Sequence, residues 1–134
     1  MTERKWVPVR KVMRTQVPMV DGRINVLQAL KIMKDSQVTT LIVQKRHEHD
    51  EFGMLLFSDI AKKVIAKDRA PERVNVFEIM AKPVLSVRPD MDIRYCARLF
   101  ESFGISHAPV IENDNIIGIV SYYLLVLEGL PDLG

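Results

Sequence analysis

The apolar positions of this chain switch between helical and strand spacing in an order that occurs twice. In the first half Val26, Leu27, Ala29, Leu30 and Met33 recur at helical spacing while Gln28, Lys31 and Lys34 take the other face, which predicts an amphipathic helix. In the second half Ile93, Cys96, Ala97, Leu99, Phe100 and Phe103 do the same opposite Arg94, Arg98 and Glu101. An apolar stub precedes each helix, Val17 to Val20 and Val84 to Val87, leading through a turn at Asp21-Gly22 or Pro89-Asp90. Two runs rich in Val, Ile and aromatics follow each helix, residues 39–44 and 52–57, then 106–111 and 116–120, and these predict strands. A short helix closes each half, beginning near Ser58 and near Tyr122. The predicted unit is strand, helix, strand, strand, helix, which places the chain in the α/β class.

The two halves align residue by residue. Val9, Val12, Met13, Val17, Val20, Val26, Ala29, Ile32, Met33, Val38 and Val43 lie opposite Val76, Ile79, Met80, Val84, Val87, Ile93, Cys96, Leu99, Phe100, Ile105 and Val110, displaced by 67 residues. Gly53 then faces Gly118, an offset of 65, so the loop from Lys45 is longer than its counterpart from Glu112. Insertions collect in surface turns, so the slip marks a hairpin, and Asn113-Asp114-Asn115 is a tight-turn signal. A duplicated unit of about sixty residues implies two like domains with a pseudo-two-fold cleft between them. We take residues 8–66 as the first domain and 76–130 as the second. The charged, proline-containing segment 67–75 between them is expected to be a solvated connector. Roughly 60 residues bury too little surface to be comfortably stable alone, so the halves are expected to share a core. Function is to be sought where the copies differ.

Composition narrows the classes. The apolar fraction of 48% and charged fraction of 27% are those of a globular chain. A net charge of +2, with basic residues scattered among acidic ones, lacks the one-sided stripe that nucleic acid requires. No apolar run approaches the ~20 residues that span a bilayer, and Met1 to Trp6 lack the apolar stretch of a signal peptide. A cytoplasmic chain with no membrane partner is expected. The single cysteine, Cys96, stands opposite Ala29 in the repeat and reads as a small buried hydrophobe. No Gly-rich phosphate loop, nucleophile beside a histidine or paired-acid cleft emerges, so neither catalysis nor a required cofactor is expected. His47-Glu48-His49-Asp50-Glu51 has metal-binding side-chain types, but alternate residues in a turn seldom enclose an ion, and a solvated hairpin turn is the expectation. The stretch Tyr122 to Leu127 is too apolar for a freely exposed helix, and is expected to bury one face and offer the other to a second subunit.

Three features recur in order in each half. A Val-x-x-Val-Met or Val-x-x-Ile-Met stub opens it, as at Val9 to Met13 and Val76 to Met80. A strand such as Gly104-Ile105-Ser106-His107-Ala108-Pro109-Val110 follows, then one such as Gly118-Ile119-Val120-Ser121 before the last helix. This tandem resembles a CBS-domain pair, or Bateman module, over nearly the whole chain. The resemblance implies two sheets packed face to face, two ligand clefts, homodimers, and a regulatory role commonly tied to AMP, ADP, ATP or S-adenosylmethionine.

The chemistry of such a ligand is specific. One carboxylate can accept both ribose hydroxyls, phosphates suit a hydroxyl or N–H at a helix N-terminus, and adenine needs apolar walls. The family signature is Gly-h-x-Thr/Ser-x-x-Asp, where h is apolar, at the junction of third strand and last helix. Here it is divided between the copies. Gly53-Met54-Leu55-Leu56-Phe57-Ser58-Asp59 keeps the acid but has Leu56 in the hydroxyl position, whereas Gly118-Ile119-Val120-Ser121-Tyr122-Tyr123-Leu124 keeps Ser121 and replaces the acid by Leu124.

The resemblance therefore assigns to a first adenosyl cleft Val17, Pro18, Thr39, Thr40, Leu41, Ser58 and Asp59. To a second, weaker cleft it assigns Val84, Leu85, Ser106, His107, Ala108 and Ser121. Alternation along strands predicts that only half of each run faces a cleft. His107 is open to a phosphate or to a plain hydrogen bond. For Asp59 two readings stay open, a ribose contact and a first-turn acid behind a Ser58 N-cap, and Ser121 could likewise be a cap. Two functions follow. One is a freestanding sensor whose ligand changes the angle between two modules of a dimer, read by an unidentified protein partner; the other is a constitutive dimerisation scaffold with empty clefts.

Overall fold

Both predicted amphipathic helices form, and local chemistry closes each at both ends. In α1 (Val26–Ser36) the Gln28 N–H donates to Asn25 Oδ1 at 2.8 Å and the Asn25 N–H donates to Gln28 Oε1 at 2.9 Å, a reciprocal capping box. In α4 (Ile93–Phe103) the Arg94 N–H donates to Asp92 at 2.9 Å, and the Arg94 guanidinium holds the other carboxylate oxygen at 2.8 Å. Gln37 (φ 55) and Gly104 (φ 63) end these helices at equivalent repeat positions, both left-handed, and only Gly104 lacks a Cβ to oppose that conformation. The computed structural model describes residues 5–133, so the Met1 to Arg4 part of the N-terminal reading lies outside the described residues.

The chain forms two compact units that cut across the repeat. Pro18–Val84 is one; the chain up to Val17 together with the chain from Leu85 onward is the other. In the first, β1 (Met19–Val20) lies parallel to β2 (Thr40–Val43), which pairs antiparallel with β3 (Gly53–Leu56). A short helix, α2 (Phe57–Ile60), continues as a wider turn through Ala61–Ile65, and α3 (Val76–Ile79) completes the unit. Its core gathers Val26, Ala29 and Met33 of α1, Leu41 and Val43, Leu55, and also Val74, Val76 and Ile79. In the second unit β4 (His107–Glu112) pairs antiparallel with β5 (Asn115–Ser121), and α5 (Tyr122–Leu124) runs on into Leu125–Gly129. Its core takes Val9 and Val12 from the opening stub together with Ile93, Cys96, Phe100, Val110 and Leu125.

Each opening stub therefore packs with the other copy's helix and strands. Backbone pairing holds it there: the Arg14 N–H donates to Ile119 O at 2.8 Å and the Ile119 N–H returns to Arg14 O at 2.9 Å. Met54 and Ala81 make the same reciprocal pair in the other unit, both bonds at 2.9 Å.

Two expectations are corrected. The connector is not wholly solvated, because Val74 is 1% exposed and its carbonyl accepts the Val26 N–H at the start of α1. The stub at 84–87 forms no extended strand; Val87 alone bridges Val110, through Val87 N–H to Pro109 O at 3.0 Å and Ile111 N–H to Val87 O at 2.9 Å. All four residues of β2 are buried, Thr40 and Leu41 among them.

Expectations for the cysteine, the second hairpin and the buried face of the last helix are met. Cys96 is fully buried, like Ala29, and burial pushes its thiol up to about 11. The second hairpin turns through Asn113 (φ 52) and Asp114 (φ 65), the conformation of a tight two-residue turn. The last helical stretch buries Leu125 and Gly129 and leaves Tyr122, Tyr123, Val126, Leu127 and Leu130 exposed. No helix among the described residues is long and apolar enough to cross a membrane.

Candidate functional site

Within the unit Pro18–Val84 the signature residues converge at one end of the sheet. Pro18 O accepts the Ile42 N–H at 3.0 Å, fixing it beside β2, and Thr39 O accepts the Phe57 N–H at 3.2 Å, tying the start of β2 to the start of α2. Thr40 lies opposite Leu56 and Leu41 opposite Leu55 in the β2–β3 register. Thr40 and Leu41 are buried, whereas Thr39 and Ser58 are exposed. At this end stands Asp59, its side chain 16% exposed. Its Oδ2 accepts the Leu56 N–H at 2.9 Å, and its Oδ1 lies 3.7 Å from Lys63 Nζ, one helical turn on.

The cap is therefore not Ser58. Leu56 holds the N-cap position with no oxygen to offer, Ser58 sits inside the first turn, and Asp59 supplies the carboxylate half of a capping box. The other unit carries the complementary half. There Ser121 is the N-cap of α5 and its Oγ accepts the Leu124 N–H at 3.3 Å. A Thr/Ser-x-x-Asp signature is itself a capping box, and the copies have each kept one arm of it.

The second group is also local. Ser106 O accepts the Tyr122 N–H at 3.2 Å, the counterpart of the Thr39 contact, and His107 lies opposite Ser121 in the β4–β5 register. Ala108 is fully buried and Leu85 is exposed. His107 Nδ1 lies 2.8 Å from Ser106 Oγ, and burial pushes its imidazole below the usual range. The boundaries between the two units fall at Val17–Pro18 and Val84–Leu85.

The His107 shift has a pH consequence. Its folded-state pKa is depressed, so the unfolded chain takes the proton first, and stability falls as pH drops below about 6.5. The loss levels off once the folded imidazole also protonates; above that window His107 contributes no pH dependence. Denaturant midpoints between pH 7 and 5 are expected to fall more steeply for the natural chain than for His107→Gln. Equal slopes would contradict the assignment.

The sequence singled out the turn at His47–Glu51 as solvated but not its anchoring, and it missed one further feature of this unit. The turn at His47–Glu51 is anchored: Asp50, its side chain 7% exposed, receives Arg46 Nε at 3.0 Å and Lys82 Nζ at 2.8 Å, which holds its carboxyl well below the usual range. No metal-binding cluster of three or more such side chains exists among the described residues. Nearby, at the far end of β2 from Thr40, opens a groove of about 690 Å³ that none of the sequence-predicted site residues lines.

Comparison with known proteins agrees with this architecture. The family model described as "CBS domain" matches residues 9–66 and 76–126. The chain is 36% identical to a hexameric CBS-CP12 protein from bloom-forming cyanobacteria, covering 91% of this chain and 70% of that one with a TM-score of 0.88. It is 35% identical over 115 residues to a homoserine O-acetyltransferase of Methanosalsum zhilinae, covering 85% of this chain but 22% of that enzyme. Across the first three curated relatives it matches, the chain spans between 22% and 62% of their length. The CBS domain pair of protein MJ0100, solved with 5'-methylthioadenosine and S-adenosyl-L-methionine, shares the fold at a TM-score of 0.75 and 22% identity over 89% of this chain and 96% of that one. Duplicated strands, split signature and family match agree, and the chain belongs to the CBS-domain family, with two CBS domains in tandem.

Proposed function

We propose that the chain is a non-catalytic regulatory module that takes an adenosyl ligand beside Asp59 and passes its occupancy through a homodimer to a partner protein. The single observation that carries this reading is the Asp59 carboxylate. It stands at the start of α2 with Thr39, Thr40 and Pro18 on the adjoining strand ends, and its helix cap engages only Oδ2. A carboxylate accepts about four hydrogen bonds, so the capped group can still receive a ribose diol. The MJ0100 domain pair, of the same fold, was solved with two adenosyl compounds. In the other unit Leu124 cannot receive a ribose hydroxyl, and an unpaired hydroxyl costs roughly 1–3 kcal/mol, so that site binds more weakly. Regulation further requires the ligand to favour one arrangement of the dimer over another, since equal affinity shifts nothing.

A thermal-shift panel of AMP, ADP, ATP and S-adenosylmethionine tests this. At a hundred-fold excess over Kd a ligand stabilises by about 2.7 kcal/mol, a readily measured rise in Tm. Asp59→Asn keeps an oxygen for the Leu56 N–H and loses the charge that takes the diol, so the ligand-induced rise is expected to shrink while the starting Tm changes little. One observation favours the alternative of a ligand-free scaffold: among the described residues, helix capping and Lys63 account for the polar contacts of Asp59. No Tm response to any of the four compounds would favour that alternative.

A further inference from the structure

We infer that the groove at the far end of β2 is a second, independent binding site, for a small phosphate monoester carrying a planar ring. The groove of about 690 Å³ lies wholly within Pro18–Val84 and falls in the size range of small-molecule sites. Its lining combines Arg23, Lys45, Arg46 and Lys82 with the apolar Phe77 and Met80. Two carboxylates face these four cations: Asp21 takes Arg23 at 2.6 Å, and Asp50 takes Arg46 and Lys82. Among the described residues Lys45 has no carboxylate partner; its ammonium lies 4.9 Å from the centre of the Phe52 ring. The groove thus carries an excess of positive charge beside apolar lining, and Phe77 is 51% exposed, an aromatic available for stacking against a ring.

The repeat supplies an internal control. At the 67-residue offset Lys45 corresponds to Glu112, Phe77 to Arg10, and Arg23 to Asp90. In the second unit this corner is self-neutralised, with Arg10 3.9 Å from Glu112 and Arg88 3.5 Å from Asp90. The same fold therefore stands without a surplus of cations or an aromatic at this corner, so the cations and ring of the first copy are not needed to build it. An anion satisfies the surplus, a monoester dianion best, because guanidinium and ammonium groups give their strongest hydrogen bonds to such oxygens. Phe77 and Met80 select for a ring attached to it.

Calorimetric titration of the purified chain with 4-nitrophenyl phosphate, and with inorganic phosphate beside it, tests the inference. The ester is expected to bind, more tightly than inorganic phosphate, with an affinity that falls as salt rises. Lys45→Glu, which copies the other half of the chain at a half-buried loop position, is expected to weaken it about ten-fold or more. Phe77→Ala is expected to bring the ester down to the affinity of inorganic phosphate. Asp59→Asn is expected to leave both unchanged, which separates this site from the adenosyl site. Absence of binding at millimolar ester, equal affinity in a folded Lys45→Glu chain, or loss of binding in Asp59→Asn instead would each overturn the inference.

Discussion

Replacing Phe100 by alanine is expected to lower the unfolding free energy by about 3–5 kcal/mol, a large part of the 5–15 kcal/mol typical of a domain. Phe100 is fully buried on the inner face of α4, the largest such side chain in its unit. Its ring also meets Tyr122 edge-on, with centroids 5.3 Å apart and planes at 78°. That contact adds about 0.5–1.5 kcal/mol beyond burial and reaches the first residue of α5. The truncation therefore leaves a cavity and loosens the helix that Ser121 caps. Urea unfolding of Phe100→Ala and Phe100→Leu measures this, with the leucine variant expected to lose less because it fills more of the space. An alanine cost below about 1 kcal/mol would contradict the packing described.

The second large effect tests the exchange of opening stubs. A Cβ at Gly118 would stand 2.7 Å from Met13 Sδ and 2.9 Å from Arg14 O; one at Gly53 would stand 2.7 Å from Met80 Sδ and 3.3 Å from Ala81 O. A methionine sulfur can swing aside, but the Arg14 carbonyl is fixed by its reciprocal pairing with Ile119. Gly118→Ala is thus expected to cost about 1–3 kcal/mol, and Gly53→Ala less. Chemical denaturation of the two variants checks both size and order. Equal, negligible costs would mean that the stubs do not lie against these glycines.

Much of this architecture was legible because burial leaves a period. The helical spacing from Val26 to Met33 and from Ile93 to Phe103 placed α1 and α4, and Asn113-Asp114 placed the second hairpin, since left-handed turn positions restrict residue choice. The stub exchange was not legible. A repeat reveals which residues are equivalent, not which equivalents touch, and Met13 suits Gly118 as well as Met80 suits Gly53. Val74 escaped for a related reason: beside Glu72, Arg73 and Asn75 it alternates with Val76 alone, and its burial and its bond to the Val26 N–H reveal its place.

The candidate site divides in the same way. The split signature, Asp59 in one half and Ser121 in the other, could be read directly because a motif is contiguous. That Leu56 rather than Ser58 occupies the cap depends on where β3 hands over to α2, a boundary that composition leaves a residue or two uncertain. The cationic groove stayed hidden because its lining comes from three separated segments, at 21–23, 43–46 and 77–82, each an ordinary mixed-charge stretch on its own.

On the proposed reading an adenosyl ligand sits at the Asp59 end of the first unit. Amide chemical-shift mapping during titration with S-adenosylmethionine tests it most directly, because it reports position as well as binding. The expected result is a saturable set of shifts at Thr39 to Leu41 and Leu56 to Asp59, reduced in Asp59→Asn, with weaker changes at Ser106 to Ala108 and Ser121. Shifts confined to the second set, or an unchanged spectrum at saturating ligand, would contradict it.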